Sequence, residues 1–264
     1  MSPLLHPEQT YILRGLIFDT HNDLRPGWPE EIYHQALYER ARQHNIPVQT
    51  KPQLSLTYRN FPVQTFECDL LFWDMIIVEL KSLPFIRVFA PNHYAQIISY
   101  LKLWQKDLGL LVNFGPSQAK IARVVWTPPP LDTHRDMRHI ESLTNFEKLA
   151  LQACEGPIDT IAQHVGLGYL SSVYHTLLSL EYPAQGYQCL PEVDIPTPDK
   201  KSSHHAPSYL LVESAILIQI NAILDAPTDY HFSEIKTYLR ALGLKAGLIV
   251  NFGKKQLQIF GVPA

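Results

Sequence analysis

The sequence predicts an α/β protein built of two tandem domains, each a mixed central sheet flanked by helices. Two observations carry that prediction: a set of paired segments that recur in the same order, and a run of prolines between the two copies. LGLLVNF at 108–114 returns as AGLIVNF at 246–252, each followed by a glycine, Gly115 and Gly253. Upstream, HYAQIISYLKLW from His93 returns as HFSEIKTYLRAL from His231, so that His93, Ile97, Tyr100 and Leu101 become His231, Ile235, Tyr238 and Leu239. MIIVELKSL from Met75 pairs with AILIQINAIL from Ala215, and GWPEEIY (Gly27 to Tyr33) with GYLSSVY (Gly168 to Tyr174). Self-similarity in a fixed order marks a duplicated unit.

After Trp126 comes TPPPLDTHRD, where consecutive prolines fix φ and remove backbone donors. The expected division is therefore a first domain over 1–126, a linker over 127–139 and a second domain over 140–264, the two copies packing as an internal pseudo-dimer.

The elements of the first copy follow from pattern. Trp28 to His44 carries Ile32, Ala36, Leu37 and Ala41 at helical spacing, with Pro29 tolerated in a first turn. LSLTYRN and VQTFECDLLF read as hairpin strands, with a further turn around Trp73 and Asp74. MIIVELKSL is apolar and β-branched enough for a strand buried on both faces. His93 to Lys106 is a helix, and GLLVNF and AKIARVVW are two closing strands. The expected order is helix, three strands, helix, two strands. In the second copy, Pro191 to Pro207 replaces the strands around 52–68 with an eroded hairpin.

Composition narrows the function. The chain has 264 residues, 46% hydrophobic and 18% charged, which is globular and sufficient for two modest cores. Residues 1–126 hold 12 Lys+Arg against 11 Asp+Glu, and residues 140–264 hold 8 against 12. Neither half has the basic excess of a protein that grips phosphate backbones nonspecifically. Cys68, Cys154 and Cys189 stand far apart and form neither a zinc nor an iron–sulfur pattern. No secretory leader, membrane span, G-x-x-x-x-G-K-[ST] or G-x-S-x-G motif occurs, so a soluble cytoplasmic protein without ATPase or serine-hydrolase chemistry is expected.

Three polar residues interrupt the apolar strands of the first copy: Asp69, Glu79 and Lys81. Glu79 and Lys81, two apart, leave the same face of one strand, and the hairpin can bring Asp69 beside Glu79. Carboxylates and an ammonium at the edge of a buried sheet are costly to desolvate unless something neutralises them. A hard divalent cation does so, and the lysine can then orient water or stabilise charge on a phosphate. An ordinary Glu–Lys pair at an exposed strand end would look the same. Gln96 and Tyr100, four apart, share one face of the next helix. Trp28, Phe72, Trp73 and Trp104 are candidates for base stacking, with core packing the competing use. His204 and His205 are expected in a solvated loop.

These pieces together resemble a known family. GWPEEIY fits G-x-x-E-x-x-Y, and Asp69, IVELK, H-x-A-Q-x-x-x-Y and LGLLVNFG follow in order, so that residues 10–126 resemble the GxxExxY family of the PD-(D/E)XK nuclease superfamily. The resemblance implies a restriction-endonuclease-like fold in each copy and a metal-dependent nuclease site in the first. Asp69 and Glu79 would be metal ligands, Glu30 an additional acid bound to metal directly or through water, and Lys81 the catalytic lysine. Gln96 and Tyr100 match a QxxxY element that positions substrate. His93 is grouped with them, although a histidine at a helix start also caps or packs. Mg²⁺ is the implied cofactor, with Mn²⁺ as an alternative, and nucleic acid, DNA ahead of RNA, is the implied substrate. The second copy puts Ser171, Tyr209, Gln219, Asn221 and Glu234 at the places of Glu30, Asp69, Glu79, Lys81 and Gln96, which reads as a degenerate, non-catalytic domain. A nucleic-acid-binding or scaffold protein is the alternative, with a protein partner supplying the missing cationic surface.

Overall fold

This computed structural model of the protein describes residues 4–85, 88–199, 201–253 and 255–264. The chain forms two compact units, Met1–Thr127 and Pro128–Ala264.

The first unit runs α1 (Pro7–Leu24), α2 (Glu30–Gln43), β1 (Val48–Thr50), β2 (Gln53–Tyr58), β3 (Phe61–Glu67), β4 (Leu70–Phe72), β5 (Ile76–Lys81), α3 (Pro91–Leu103), β6 (Leu108–Asn113) and β7 (Lys120–Val125). Its five-stranded sheet has the order β1-β4-β5-β6-β7, with β5 and β6 parallel and the other pairs antiparallel. Hairpin β2–β3 is separate from that sheet. The central strands β5 and β6 are buried along almost their whole length, as their unbroken apolar runs require.

Several expectations are corrected here. Helix α1 was not anticipated. It begins with proline at its first position, and Leu13, Leu16, Ile17 and Thr20 bury one stripe at helical spacing. Arg123 of β7 ties that helix down, donating to Thr10 Oγ1 at 2.7 Å and to the Leu5 carbonyl at 2.7 Å. In α2, Ile32 is exposed, and the buried face is instead Tyr33, His34, Leu37 and Ala41. The run expected as one strand over 63–72 breaks at Cys68 and Asp69 into β3 and β4.

The turn before β5 falls at Trp73 and Asp74. Both residues take left-handed φ, 50° and 55°, and the Met75 N–H donates to the Phe72 carbonyl at 2.9 Å. Two consecutive residues with positive φ are what a tight hairpin between twisted strands needs. The turn sets the register Phe72↔Ile76 through Leu70↔Val78. Asp69 and Glu79 are the next residues along on the two strands.

Gly115 closes the far end of β6. A Cβ there would lie 2.4 Å from the Leu83 carbonyl carbon and 2.6 Å from its nitrogen. Backbone cannot yield as a side-chain tip can, so Gly115→Ala is expected to lower stability by about 1–3 kcal/mol. A denaturation midpoint equal to that of the wild type would show that the Leu83 loop is not held against the strand end.

The second unit runs β8 (Thr133–Asp136), a 3-10 turn (Arg138–Ile140), α4 (Asn145–Ala153), α5 (Glu155–Val165), α6 (Ser171–Ala184), β9 (Cys189–Leu190), β10 (Asp194–Pro196), β11 (Ser203–His205), β12 (Tyr209–Val212), β13 (Ile216–Asn221), α7 (Asp229–Leu242), β14 (Ala246–Phe252) and β15 (Leu257–Pro263). Its sheet order is β8-β15-β14-β13-β12-β9, again with the central pair, β13 and β14, parallel. The second half of the stretch expected as a linker, from residue 133 on, is folded. Strand β8 pairs in parallel with β15, and Arg135 reaches Glu155 at 2.7 Å and Asp159 at 2.6 Å on α5. The partner strand of β8 lies at the opposite end of this unit, which local pattern cannot reveal.

The two units share a frame. Gly27 and Gly168 have φ of 115° and 107°, which only glycine adopts without strain. Six residues on, the Tyr33 hydroxyl donates to the Arg25 carbonyl at 2.6 Å and its ring stacks on Phe114 at 4.6 Å. Tyr174 does the same with the Gly166 carbonyl at 2.8 Å and Phe252 at 3.9 Å. Asn113 and Asn251 each accept a loop N–H, from Leu83 at 2.8 Å and from Ile223 at 2.9 Å. The glycine, the tyrosine and the Asn-Phe pair of the repeated motifs are thus parts of one clamp. Among the described residues no helix is long and apolar enough to cross a membrane.

Candidate active site

Clamp and hairpin bring four charged side chains of the first unit into one neighbourhood. Glu79 is 3% exposed near the end of β5, and Lys81 follows two residues later on the same face. Lys81 Nζ lies 2.7 Å from Glu79 Oε1. Glu79 Oε2 is equally buried and has no hydrogen-bond partner among the described residues. Asp69 is held on three sides. Its carbonyl accepts from Lys51 N–H at 2.9 Å and contacts His34 Nε2 at 3.1 Å, and its Oδ2 accepts from Leu80 N–H at 2.7 Å. Glu30, the first residue of α2, feels both Lys81 and Asp69.

Electrostatics fit that crowding. Burial, reinforced by Asp69, pushes the Glu79 carboxyl up to about 8 against the pull of Lys81. Glu30 is raised by burial and by Asp69, with Lys81 opposing. Burial works against the charge on Lys81, but Glu79, Glu30 and Asp69 together lift it above the ordinary lysine range. Cys68, buried next to Asp69, is pushed up to about 12 by desolvation and then by Glu79, which leaves it an inert thiol.

Helix α3 supplies the flank. Gln96 Nε2 donates to Tyr100 Oη at 2.9 Å, so the pair expected on one face is joined. Tyr100 is raised far above its usual range by burial and by Glu79, which puts its hydroxyl in the field of the acids. His93 is lowered by burial and by Lys81, and it also caps the helix. Its Nδ1 accepts from Ala90 N–H at 3.3 Å and caps α3, as His231 caps α7 through Thr228 N–H at 3.1 Å. Of the four aromatic candidates, Phe72 is buried, Trp73 packs on Phe72 and Trp104 on Tyr100, whereas Trp28 remains 51% exposed.

A family profile for the PD-(D/E)XK nuclease superfamily matches residues 7–124 and again residues 149–260. The chain belongs to the PD-(D/E)XK nuclease superfamily. No curated protein matches it. Among solved structures, one described as "Crystal structure of SSO0001" is similar at 13% identity and a TM-score of 0.30, covering 49% of this chain and 81% of that one.

PD-(D/E)XK nucleases typically use divalent metals, so the donor set of the first unit can be tested for fit. Among the described residues no group of three or more His, Cys, Asp and Glu is arranged as a metal cage. Mg²⁺ does not require one, because it keeps several waters and is commonly held by one or two carboxylates. Asp69 has a carboxylate oxygen, Oδ1, without a hydrogen bond among the described residues, and Glu79 has the orphaned Oε2. Two hard oxygen donors, one of them buried and unsatisfied, fit such an ion.

The second PD-(D/E)XK unit shows what replaces the acids. Tyr209 pairs with Gln219, the register position next to Leu210↔Ile218, just as Asp69 stands next to Leu70↔Val78. Glu234 of α7 then fills the centre. Its Oε2 accepts from Tyr209 Oη and Gln219 Nε2, both at 2.7 Å, and its Oε1 accepts from Tyr230 Oη at 3.0 Å. Asn221 stands at the place of Lys81, and Ser171 at that of Glu30. Glu234 thus takes up Tyr209, Tyr230 and the Gln219 amide nitrogen, whereas Gln219 Oε1 and Asn221 Nδ2 are buried without a hydrogen-bond partner among the described residues.

Sequence reasoning missed His34, whose ring orients the Asp69 carbonyl. A signal existed: His175 recurs one residue after Tyr174 and contacts the Tyr209 carbonyl at 3.1 Å in the same way.

Proposed function

We propose that the first unit hydrolyses phosphodiester bonds of nucleic acid, DNA ahead of RNA, with Mg²⁺ or Mn²⁺ held by Asp69 and Glu79. The observation that carries this reading is the buried, unpartnered Glu79 Oε2 beside Lys81 and Asp69. A buried carboxylate oxygen left without a partner is unfavourable by about 1–3 kcal/mol or more unless a ligand completes it. Bound there, the ion supplies Lewis-acid stabilisation of charge developing on the phosphate. Lys81, kept protonated by its neighbours, donates to a phosphate oxygen or to the attacking water. The raised carboxyl of Glu30 lies within reach of that charge balance as an auxiliary acid. Gln96 and Tyr100 position the strand from α3, and His93 serves them by capping the helix. The motif order supports assigning the first unit to the GxxExxY branch, and the loss of Glu30, Asp69, Glu79 and Lys81 from the second supports reading it as a degenerate copy without catalysis.

The near-neutral charge of residues 1–126 favours a second reading, a nuclease-like binding or scaffold protein whose partner supplies cationic surface. Calorimetric titration of Mg²⁺ and Mn²⁺ into wild type and Asp69→Ala/Glu79→Ala, with cleavage assays on the same samples, separates the two. Metal binding and cleavage by the wild type alone are expected. A folded wild type that neither binds metal nor cuts any strand would overturn the nuclease and leave the scaffold.

A further inference from the structure

Beside the acid cluster lies a cavity of about 380 Å³ lined by Gly27, Trp28, Pro29, Glu30, Ser82, Leu83, Pro84 and Gly115. It adjoins the proposed site through Glu30, which forms part of its wall and feels Lys81 and Asp69. Trp28 is placed there rather than left loose. Its indole N–H donates to the Leu24 carbonyl at 3.0 Å, its carbonyl accepts from Ser82 Oγ at 2.7 Å, and its backbone N–H donates to Tyr33 Oη at 3.3 Å. The residue is anchored by three hydrogen bonds, one through its indole and two through its backbone, and is still 51% exposed. The equivalent residue in the second unit, Tyr169, is 4% exposed and packs against Tyr174. So the unit that keeps the acids leaves this aromatic residue half exposed, and the unit that lacks them buries it.

We infer that Trp28 is a stacking platform for one unpaired nucleobase next to the scissile phosphate, which makes single-stranded nucleic acid the preferred substrate. The inference rests on the nuclease reading above for its phosphate, but not for its base. A base inside a duplex offers no free face, whereas an unpaired one stacks on an aromatic ring whatever its identity. Half of the cavity wall is glycine and proline, Gly27, Pro29, Pro84 and Gly115, which admit a flat ring, and the Ser82 hydroxyl is already taken by the Trp28 carbonyl. Stacking also supplies binding that the charge balance of this unit does not.

The test measures binding apart from cutting. Fluorescence anisotropy of a labelled oligothymidylate, and of a duplex of the same length, is followed with metal chelated, using wild type, Trp28→Ala and Trp28→Phe. Single-strand affinity is expected to fall roughly 5- to 150-fold in Trp28→Ala, the range of one base stack. Trp28→Phe, which loses the bond to Leu24 but keeps a ring, should retain most of it, and duplex binding should hardly move. Equal losses in the two variants would mean that Trp28 only anchors its loop and would overturn the inference. Unchanged single-strand binding in Trp28→Ala would overturn it too. If the wild type cuts nothing yet shows the Trp28-dependent binding, the nuclease reading fails and the platform stands. If it cuts and Trp28→Ala behaves as wild type on single strands, the reverse holds.

Discussion

Lys81→Ala is expected to lower the rate of phosphodiester cleavage by about 10²–10⁴-fold, the range seen when one positioned proton or charge donor is removed. The loss should appear in kcat with little change in KM, because an ammonium that acts on developing charge stabilises the transition state more than bound substrate. The structure makes the lysine specific. It is half-buried, 2.7 Å from Glu79, and held protonated by three carboxylates. Lys81→Arg preserves charge but puts a planar fork where a compact ammonium sat, so it should rescue only part of the rate. Single-turnover kinetics on wild type and both variants decide the matter. A Lys81→Ala enzyme within about threefold of wild type would remove the lysine from the mechanism, whatever Asp69 and Glu79 do.

Much of this site was legible because it breaks a pattern. In IIVELK the two polar residues stand out against a strand that is otherwise buried, and their spacing alone puts them on one face. The turn at Trp73 and Asp74 was also readable, and with it the approach of Asp69 to Glu79. Comparison of the repeats separated frame from chemistry. Gly27, Tyr33 and Asn113 recur and serve the clamp, whereas Glu30, Asp69, Glu79 and Lys81 do not recur.

What was not legible depends on contacts distant in sequence. Strand β8 is short, follows three prolines and owes its place to β15, more than a hundred residues later. Helix α1 hid its stripe because a glycine, Gly15, and several polar residues interrupt it, and its docking depends on Arg123 at the other end of the unit. His34 looked like any helical histidine because its partner is a main-chain carbonyl rather than a recognisable side chain. For His93 the sequence left two uses open, site contact and capping; the structure shows the cap through Nδ1 and also puts the ring in the field of Lys81. The orphaned Glu79 Oε2 lay beyond any pattern, since burial without a partner exists only in three dimensions.

That orphaned oxygen leads to the second large effect, on stability. The double variant Glu79→Gln/Lys81→Asn carries into the first unit the pair that stands in the second as Gln219 and Asn221. There Gln219 Oε1 and Asn221 Nδ2 are also buried without a partner among the described residues but carry no charge, so that their burial costs less than that of an ion. Removing a buried ion pair in favour of neutral groups is often neutral or stabilising by about 1–4 kcal/mol, and here one carboxylate oxygen has no partner to lose. With metal chelated, the variant is expected to unfold at higher denaturant than the wild type at alkaline pH, and to bind no Mg²⁺. The pH dependence gives the cause. The folded-state pKa of Glu79 is raised, from 4.5 to about 8, so its contribution to stability is fully present below about 4.5 and is lost as pH rises through about 8. Lys81 is also raised, and its contribution disappears only above the ordinary lysine range, outside that window. The wild type should therefore lose ground to the variant progressively between about pH 5 and pH 8, and saturating Mg²⁺ should return most of it to the wild type alone. Denaturation midpoints that run parallel for the two proteins across this window would mean that Glu79 bears no such strain, and the case for a cation completing its carboxylate would fall with it.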